Sequence, residues 1–191
     1  KNILFEKYYS LNNKKISEVF KEASSDNIKI INSYKSLNKI NFIEFPKKGF
    51  TELKKITNVL SKLSGCILLI DYGYLKSNNQ DTLQSVYRHK KNNLLKNLGK
   101  ADITSHVNFE LLREFFNKNK LKVKETISQK EFLENLGINA RAEILSKNMK
   151  FSEQSNLFLR LRRLLDPKLM GSLFKVILAY KYQCNNYSGF K

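Results

Sequence analysis

The chain has 191 residues, with 35 Lys and Arg against 17 Asp and Glu, a formal net charge of +18. A hydrophobic fraction of 41%, with 13 Phe and 9 Tyr, supplies a core for one domain with a small appendage and excludes disorder as the state of the whole. Two Cys (Cys66, Cys184) and two His (His89, His106) are too few for a disulfide scaffold or a His-rich metal site, and no apolar run is long enough to span a membrane.

The opening KNILFEKYYS has no long apolar stretch of the secretory kind. It also lacks an initiator Met, which reads as a chain that starts downstream of further residues. The basic residues are 29 Lys and only 6 Arg, and 22 Asn accompany them. They are spread over every segment, and the densest pairs (Lys14-Lys15, Lys47-Lys48, Lys54-Lys55, Lys90-Lys91) are dispersed. Arg is the side chain that grips phosphates and reads bases with two bonds at once. Its scarcity argues for a solvated basic surface, with a nucleic-acid site and an acidic protein partner as the two lesser readings.

In chain order, apolar-aromatic runs at 2–9 and 16–20 flank Leu11-Asn12-Asn13-Lys14-Lys15 and predict a β-hairpin. Residues 21–27 read as loop, and 28–31 and 40–45 as further strands, the second ended by Pro46. Leu53, Ile56, Val59, Leu60 and Leu63 recur at helical spacing, which predicts a helix over 51–63 stopped by Gly65. Cys66-Ile67-Leu68-Leu69-Ile70 is an unbroken apolar run of the kind a central parallel strand, covered on both faces, presents. Residues 75–106 lack periodicity and read as one long functional loop.

Asn108 predicts the cap of a helix over 109–118. A strand is expected over 121–127. Ser128 with Glu131 forms the pattern of a capping box, Ile127 can staple against Phe132, and Gly137 is the expected stop. Helices over 140–147 and 152–165 follow, and a closing strand over 173–180. The class is α/β: a strand-rich segment over 1–48, then an α/β part over 49–191.

Asp71-Tyr72-Gly73-Tyr74 is the leading candidate for chemistry. A carboxylate where a buried strand opens into a loop can meet a ligand, and Gly73 lets the backbone turn or a ligand approach closely. An ordinary turn with a satisfied Asp is the alternative. His89, among Arg88, Lys90 and Lys91, is a candidate base or anchor. Asp102-Ile103-Thr104-Ser105-His106 is a polar cluster whose side chains equally suit backbone amides ahead of a helix. The seven glycines stand at 49, 65, 73, 99, 137, 171 and 189, no two closer than eight residues, so no GxGxxG or Walker loop is present.

Five strings in one order, GCILLIDYGY (65–74), DTLQSVYRHK (81–90), GKADITSHVNFELL (99–112), SQKEFLENLGINAR (128–141) and LDPKLMGSLFKVILA (165–179), together resemble the MidA-like methyltransferases. That family includes a mitochondrial arginine methyltransferase needed for respiratory complex I assembly. The resemblance covers about 40–180 and, less strongly, the strand-rich start. It implies a Rossmann-like class I fold, S-adenosylmethionine as cofactor, and methyl transfer by in-line displacement onto a protein acceptor, an arginine in the mitochondrial member.

By that resemblance Asp71 and His89 are the catalytic candidates, and Tyr72, Gly73, Thr82, Asp102 and Thr104 the substrate-binding ones. The family's glycine-rich loop, acidic ribose residue and Asn-Glu-Phe-Phe-Asp-like motif lie in its N-terminal half and have no counterpart here. The chain therefore resembles the C-terminal, substrate-side half, with no cofactor-binding residue of its own, and is expected to be inactive alone. Expected partners are an upstream half, a second copy or a complex I subunit. The expected place is the bacterial cytoplasm or the mitochondrial matrix. A non-catalytic protein-binding module derived from the family is the alternative function.

Overall fold

The computed structural model describes residues 3–13, 15–182 and 187–190, so Cys184 lies outside the described residues. The chain divides into two units: Lys1–Phe45 with Asn78–Ser105, and Pro46–Ser77 with His106–Lys191.

In the first unit, β1 (Phe5–Asn12) and β2 (Lys15–Glu22) form the expected antiparallel hairpin, Phe5 facing Glu22 and Asn12 facing Lys15. The segment after it is a helix, α1 (Ser25–Asn32), where loop and strand were expected. Ser24 caps it by accepting the Asn27 N–H, Asp26 sits in its first turn, and Ile28 and Ile31 share one side three residues apart. Four residues of β-branched bias were too short to outweigh a cap. The expected strand over 40–45 is irregular backbone, in which Phe45 packs its ring on Tyr34 at 5.6 Å.

The second unit opens with α2 (Lys47–Lys62), one turn earlier than expected because Pro46 immediately precedes a helix instead of only ending a strand. Its Phe50 stacks on Phe115 at 4.3 Å, and Thr57 is buried. β3 (Cys66–Tyr74) follows and continues through Asp71-Tyr72-Gly73-Tyr74, so the candidate residues lie within the strand and not beyond its end.

Residues 78–105, expected as loop, hold a small antiparallel sheet in the first unit: β4 (Gln84–Tyr87), β5 (Lys90–Asn92) and β6 (Asp102–Thr104), in the order β5-β4-β6. Strands of three or four residues are too short to show a period. The turn joining the first two, Arg88-His89, contains no glycine to betray it.

Back in the second unit, β7 (Val107–Asn108) leads into α3 (Phe109–Lys118). The expected cap is present: the Asn108 side chain accepts the Leu111 N–H at 3.1 Å. Phe109, Leu111, Leu112, Phe115 and Phe116 of α3 are buried and form the heart of this unit's core. The strand expected over 121–127 is reduced to β8 (Lys122–Val123) and β9 (Ile127–Ser128). The helices α4 (Gln129–Asn135), α5 (Ile138–Ser146), α6 (Phe151–Leu165) and α7 (Met170–Leu173) precede the closing strand β10 (Phe174–Tyr180). Ser128 Oγ accepts the Glu131 N–H at 3.1 Å, the Ser half of the expected capping pair.

The sheet order is β7-β3-β10-β8, with β9 also on β10. β10, not β3, is the buried centre, with Val176, Ile177 and Ala179 fully enclosed. β3 runs antiparallel to β10, from Cys66 opposite Tyr180 to Tyr72 opposite Phe174, and parallel to β7 only at Gly73 and Tyr74. The expectation of a doubly covered parallel strand is thus corrected. Leu68 and Ile70 are 45% exposed, since an unbroken apolar run fits any strand with an apolar neighbour on one face. No helix among the described residues is long and apolar enough to cross a membrane.

Candidate functional site

Strand geometry sorts the Asp-Tyr-Gly run before any chemistry enters. Alternate side chains leave opposite faces, so Asp71 and Gly73 share one face and Tyr72 takes the other. On the first face, Asp71 stands opposite Lys175 of β10, and Lys175 stands opposite Ser128 of β9. A carboxylate, an ammonium and a hydroxyl form a row across three strands.

The Asp71 carboxylate is exposed, and its Oδ1 accepts the Tyr72 N–H at 2.8 Å. Lys175 donates to the Ser172 carbonyl. Among the described residues no ion pair joins Lys175 to Asp71. Partial burial lowers the Lys175 pKa, because desolvation disfavours its charged form.

On the second face, the Tyr72 ring lies between two others. His106 meets it edge-on at 5.4 Å and Phe174 at 5.5 Å. Gly73 has a different duty. A Cβ at this position would lie 2.1 Å from the Val107 carbonyl oxygen and 2.9 Å from the Phe109 ring, so the absent side chain makes room for the chain's own backbone.

The other four candidates belong to the first unit. Thr82 donates its N–H to Glu44 Oε1 at 3.1 Å and its hydroxyl to the same carboxylate. His89 is the second residue of the two-residue turn between β4 and β5, exposed, with φ of 61° after Arg88 at 50°. Asp102 pairs with Val86 and Thr104 with Gln84 across β6 and β4. Asp71, Tyr72 and Gly73 are therefore contiguous in one unit, and Thr82, His89, Asp102 and Thr104 are distributed over the other.

Lys175 and Phe174 were not singled out from the sequence. The register partner of Asp71 could not be known until β10 was seen to run antiparallel beside it. The lone Lys in FKVILAY was the available signal.

Gly73, Gly65 and the α3 N-terminus do not fit an S-adenosylmethionine cradle. The space beside Gly73 is filled by Val107, and Gly65 sits between a helix and the strand that follows it, not between a strand and a helix. The α3 N-terminus is occupied by the chain itself: Asn108 caps it, Ser77 and Asn108 bond each other, and the Glu110 carboxylate accepts the Ser77 N–H at 2.7 Å.

Residues 1–127 match a family described as "Putative S-adenosyl-L-methionine-dependent methyltransferase". This chain belongs to that family. The match takes in the hairpin segment, where the resemblance in sequence is weaker than over 40–180.

Among curated proteins, it is 30% identical over 124 residues to "Protein arginine methyltransferase NDUFAF7, mitochondrial" of Xenopus tropicalis, covering 64% of this chain and 28% of the frog protein. The human protein of the same name is 29% identical over 132 residues, 69% of this chain and 30% of its own length. The chain thus spans under a third of these relatives. A crystal structure of a Burkholderia thailandensis protein bound to S-adenosyl-homocysteine superposes with a TM-score of 0.76 at 22% identity, covering 97% of this chain and 49% of that one. A second Burkholderia thailandensis structure gives 0.74, with 97% and 50% covered, also at 22% identity. The chain therefore has the fold of about half of a methyltransferase of this kind.

Proposed function

We propose that this chain supplies the acceptor-binding part of an S-adenosylmethionine-dependent protein methyltransferase, and that the acceptor is an arginine side chain. Family membership and the relatives' names support the reaction class. The observation that carries the acceptor side is the exposed Asp71 carboxylate, held by its own strand and committed to no cation among the described residues. A fixed carboxylate can accept two parallel N–H bonds from a guanidinium, the strongest neutral-pH match for that group. One Asp71 oxygen already takes the Tyr72 N–H, which holds the carboxylate in place for the incoming group.

Lys175 stands opposite Asp71 without forming an ion pair with it. Its ammonium is turned to the Ser172 carbonyl, which leaves the carboxylate to the substrate. His89 is the weaker catalytic candidate. It stands at an exposed turn between Arg88, Lys90 and Lys91, and that local positive charge opposes a guanidinium acceptor. On this reading the chain alone is expected to transfer no methyl group. A respiratory complex I subunit as acceptor, in mitochondria or a bacterial cytoplasm, belongs to the same proposal.

Calorimetric titration with an arginine-containing peptide tests the acceptor side, with the citrulline analogue as the uncharged control. Binding of the arginine peptide, weakened at least tenfold by citrulline and by Asp71→Asn, is the expected result. Equal binding of both peptides, or no effect of Asp71→Asn, overturns the assignment.

A further inference from the structure

The bend between α5 and α6 carries the barest apolar side chain among the described residues. Both helices pack against α4 and against each other, and Ser146 and Phe151 stand at the two ends of their connection. Phe151 is 84% exposed and Ile144, just before the bend, 67%, with Leu145 exposed beside it. Along α6 the bare side continues through Phe158 and Leu159, seven and eight residues after Phe151. Another side of α6, through Gln154, Leu157, Leu161 and Leu164, is half-buried.

This exposure is built into the bend. The Gln154 side chain donates to the Ser146 carbonyl at 2.9 Å and to the Met149 carbonyl at 3.1 Å, which ties α6 to the end of α5. Glu153 accepts the Lys150 N–H at 2.9 Å and closes the first turn of α6. Phe151 is thereby held at a position where any polar residue would serve the backbone as well.

Cations surround these apolar residues. From Arg141 to Arg163 there are six Lys or Arg against two carboxylates, and four of the chain's six Arg lie in this stretch. Lys147 and Lys150 flank the bend, and Arg160 and Arg163 follow on α6. Among the described residues none of these four forms an ion pair with a carboxylate. The stretch also lies outside residues 1–127, which carry the family match. A solvated basic face does not call for a bare Phe, and an apolar seam does not call for four unpaired cations. The two together suit a surface that is anionic outside and apolar beneath.

We propose that the α5–α6 bend is a membrane-surface site: Ile144, Leu145 and Phe151 enter the boundary between headgroups and acyl chains of an anionic bilayer, and Lys147, Lys150, Arg160 and Arg163 lie against its phosphates. The bend of a helical hairpin is convex. A protein partner needs a pocket shaped to it, whereas a lipid surface takes in a convex apolar tip without one. The long stems of Lys and Arg keep their charges in the headgroup layer while the apolar residues go deeper. The net charge of +18 draws the chain toward such a surface, and the bend gives the approach its orientation. The contact is with a surface and is not a span, and it does not depend on the role of Asp71.

The chain has no Trp, so Phe151→Trp places a single fluorescent reporter at the bend. The purified variant is titrated with vesicles of phosphatidylcholine mixed with phosphatidylglycerol, and with vesicles of phosphatidylcholine alone. The mixed vesicles are expected to shift the emission to shorter wavelength, with quenching by lipids brominated on the acyl chain. Neutral vesicles are expected to do neither, and Leu63→Trp at the end of α2 is expected to keep its aqueous emission with both. In co-sedimentation with the mixed vesicles, Ile144→Ser with Phe151→Ser is expected to bind at least about tenfold more weakly than the natural chain. Lys147→Glu with Lys150→Glu is expected to lose at least about as much, while Lys90→Glu with Lys91→Glu, an equal change of net charge, stays within about twofold. All of these side chains are exposed, and thermal melts that match the natural chain's show that each variant is folded.

No shift with the mixed vesicles overturns the proposal. An equal shift at Leu63→Trp, or an equal loss in the Lys90 and Lys91 variant, also overturns it, since either marks adsorption by net charge alone. A shift that appears without lipid and grows with chain concentration assigns the bend to a second copy instead. A shift with polyglutamate and none with vesicles assigns it to an acidic protein.

Discussion

Gly73 and Val107 lie backbone against backbone: the Val107 carbonyl oxygen occupies the place, 2.1 Å away, of a Cβ that residue 73 does not have. This approach is where β7 joins β3, and it fixes the start of α3, the helix that supplies Phe109, Leu111, Phe115 and Phe116 to the core. The glycine of the Asp-Tyr-Gly run is thereby tied to the register of the sheet. Gly73→Ala is expected to destabilise the second unit by about 2–3 kcal/mol, the cost of overpacking a site that cannot open without breaking the β3–β7 pairing. Urea denaturation followed by circular dichroism measures it. A loss below about 0.5 kcal/mol, within the range of ordinary surface substitutions, would show that the strands separate freely.

The helix cap behind that junction is a separate contribution. Asn108 accepts the Leu111 N–H and also donates to Ser77 Oγ at 2.9 Å. Asn108→Ala is expected to cost about 1 kcal/mol, and Asn108→Asp, which keeps the acceptor at the helix N-terminus, less than half of that. The ranking of the two variants in the same denaturation experiment decides whether the cap or mere packing is at stake.

Lys175 gives a pH dependence with a definite sign. Its pKa in the folded chain is below the ordinary 10.5 because of desolvation. Below the folded value it is protonated in both states, and the folded state bears the full desolvation cost. As pH rises between the folded value and 10.5, the folded chain releases the proton first, so the unfolded state binds more protons and stability rises with pH. Lys175→Met is expected to melt higher than the natural chain at neutral pH, and this advantage is expected to shrink as pH approaches 10.5. Thermal melts of both proteins across that range check it. An advantage that widens with pH contradicts the assignment.

The hairpin turn of the first unit stores a small strain. Arg88 and His89 both have positive φ, 50° and 61°, in a two-residue turn that suits Asn-Gly. Arg88→Asn with His89→Gly is expected to stabilise the β4–β5 hairpin by roughly 1 kcal/mol. Its arginine-peptide binding is expected to stay unchanged, because the proposal puts the acceptor role on Asp71 and not on His89. Loss of binding in this variant would return His89 to the site.

The long periodic elements were legible in the sequence. The helices over 51–63 and 109–118, the Asn108 and Ser128 caps and the closing strand all stand within a few residues of expectation. What stayed hidden was short or relational. α1 has eight residues and the three strands of the small sheet have three or four, too few for a period to outweigh local β bias. The direction of β10 beside β3 depends on the whole unit, and the pairing of Asp71 with Lys175 depends on that direction. Asp71, Tyr72 and Gly73 were legible as a group, but their three duties became distinct only when strand alternation and the Val107 backbone were in place. The five strings carried the family more strongly than any single residue did, because they report a shared fold and not one site.

Calorimetric titration of the purified chain with S-adenosylmethionine is the most direct measurement. On the proposed reading the chain is the acceptor-side part of the fold, Gly73 is filled by the Val107 backbone and the α3 N-terminus is capped by Asn108, so no heat beyond dilution is expected. Saturable one-to-one binding by the chain alone would contradict this and would place a cofactor site within these 191 residues.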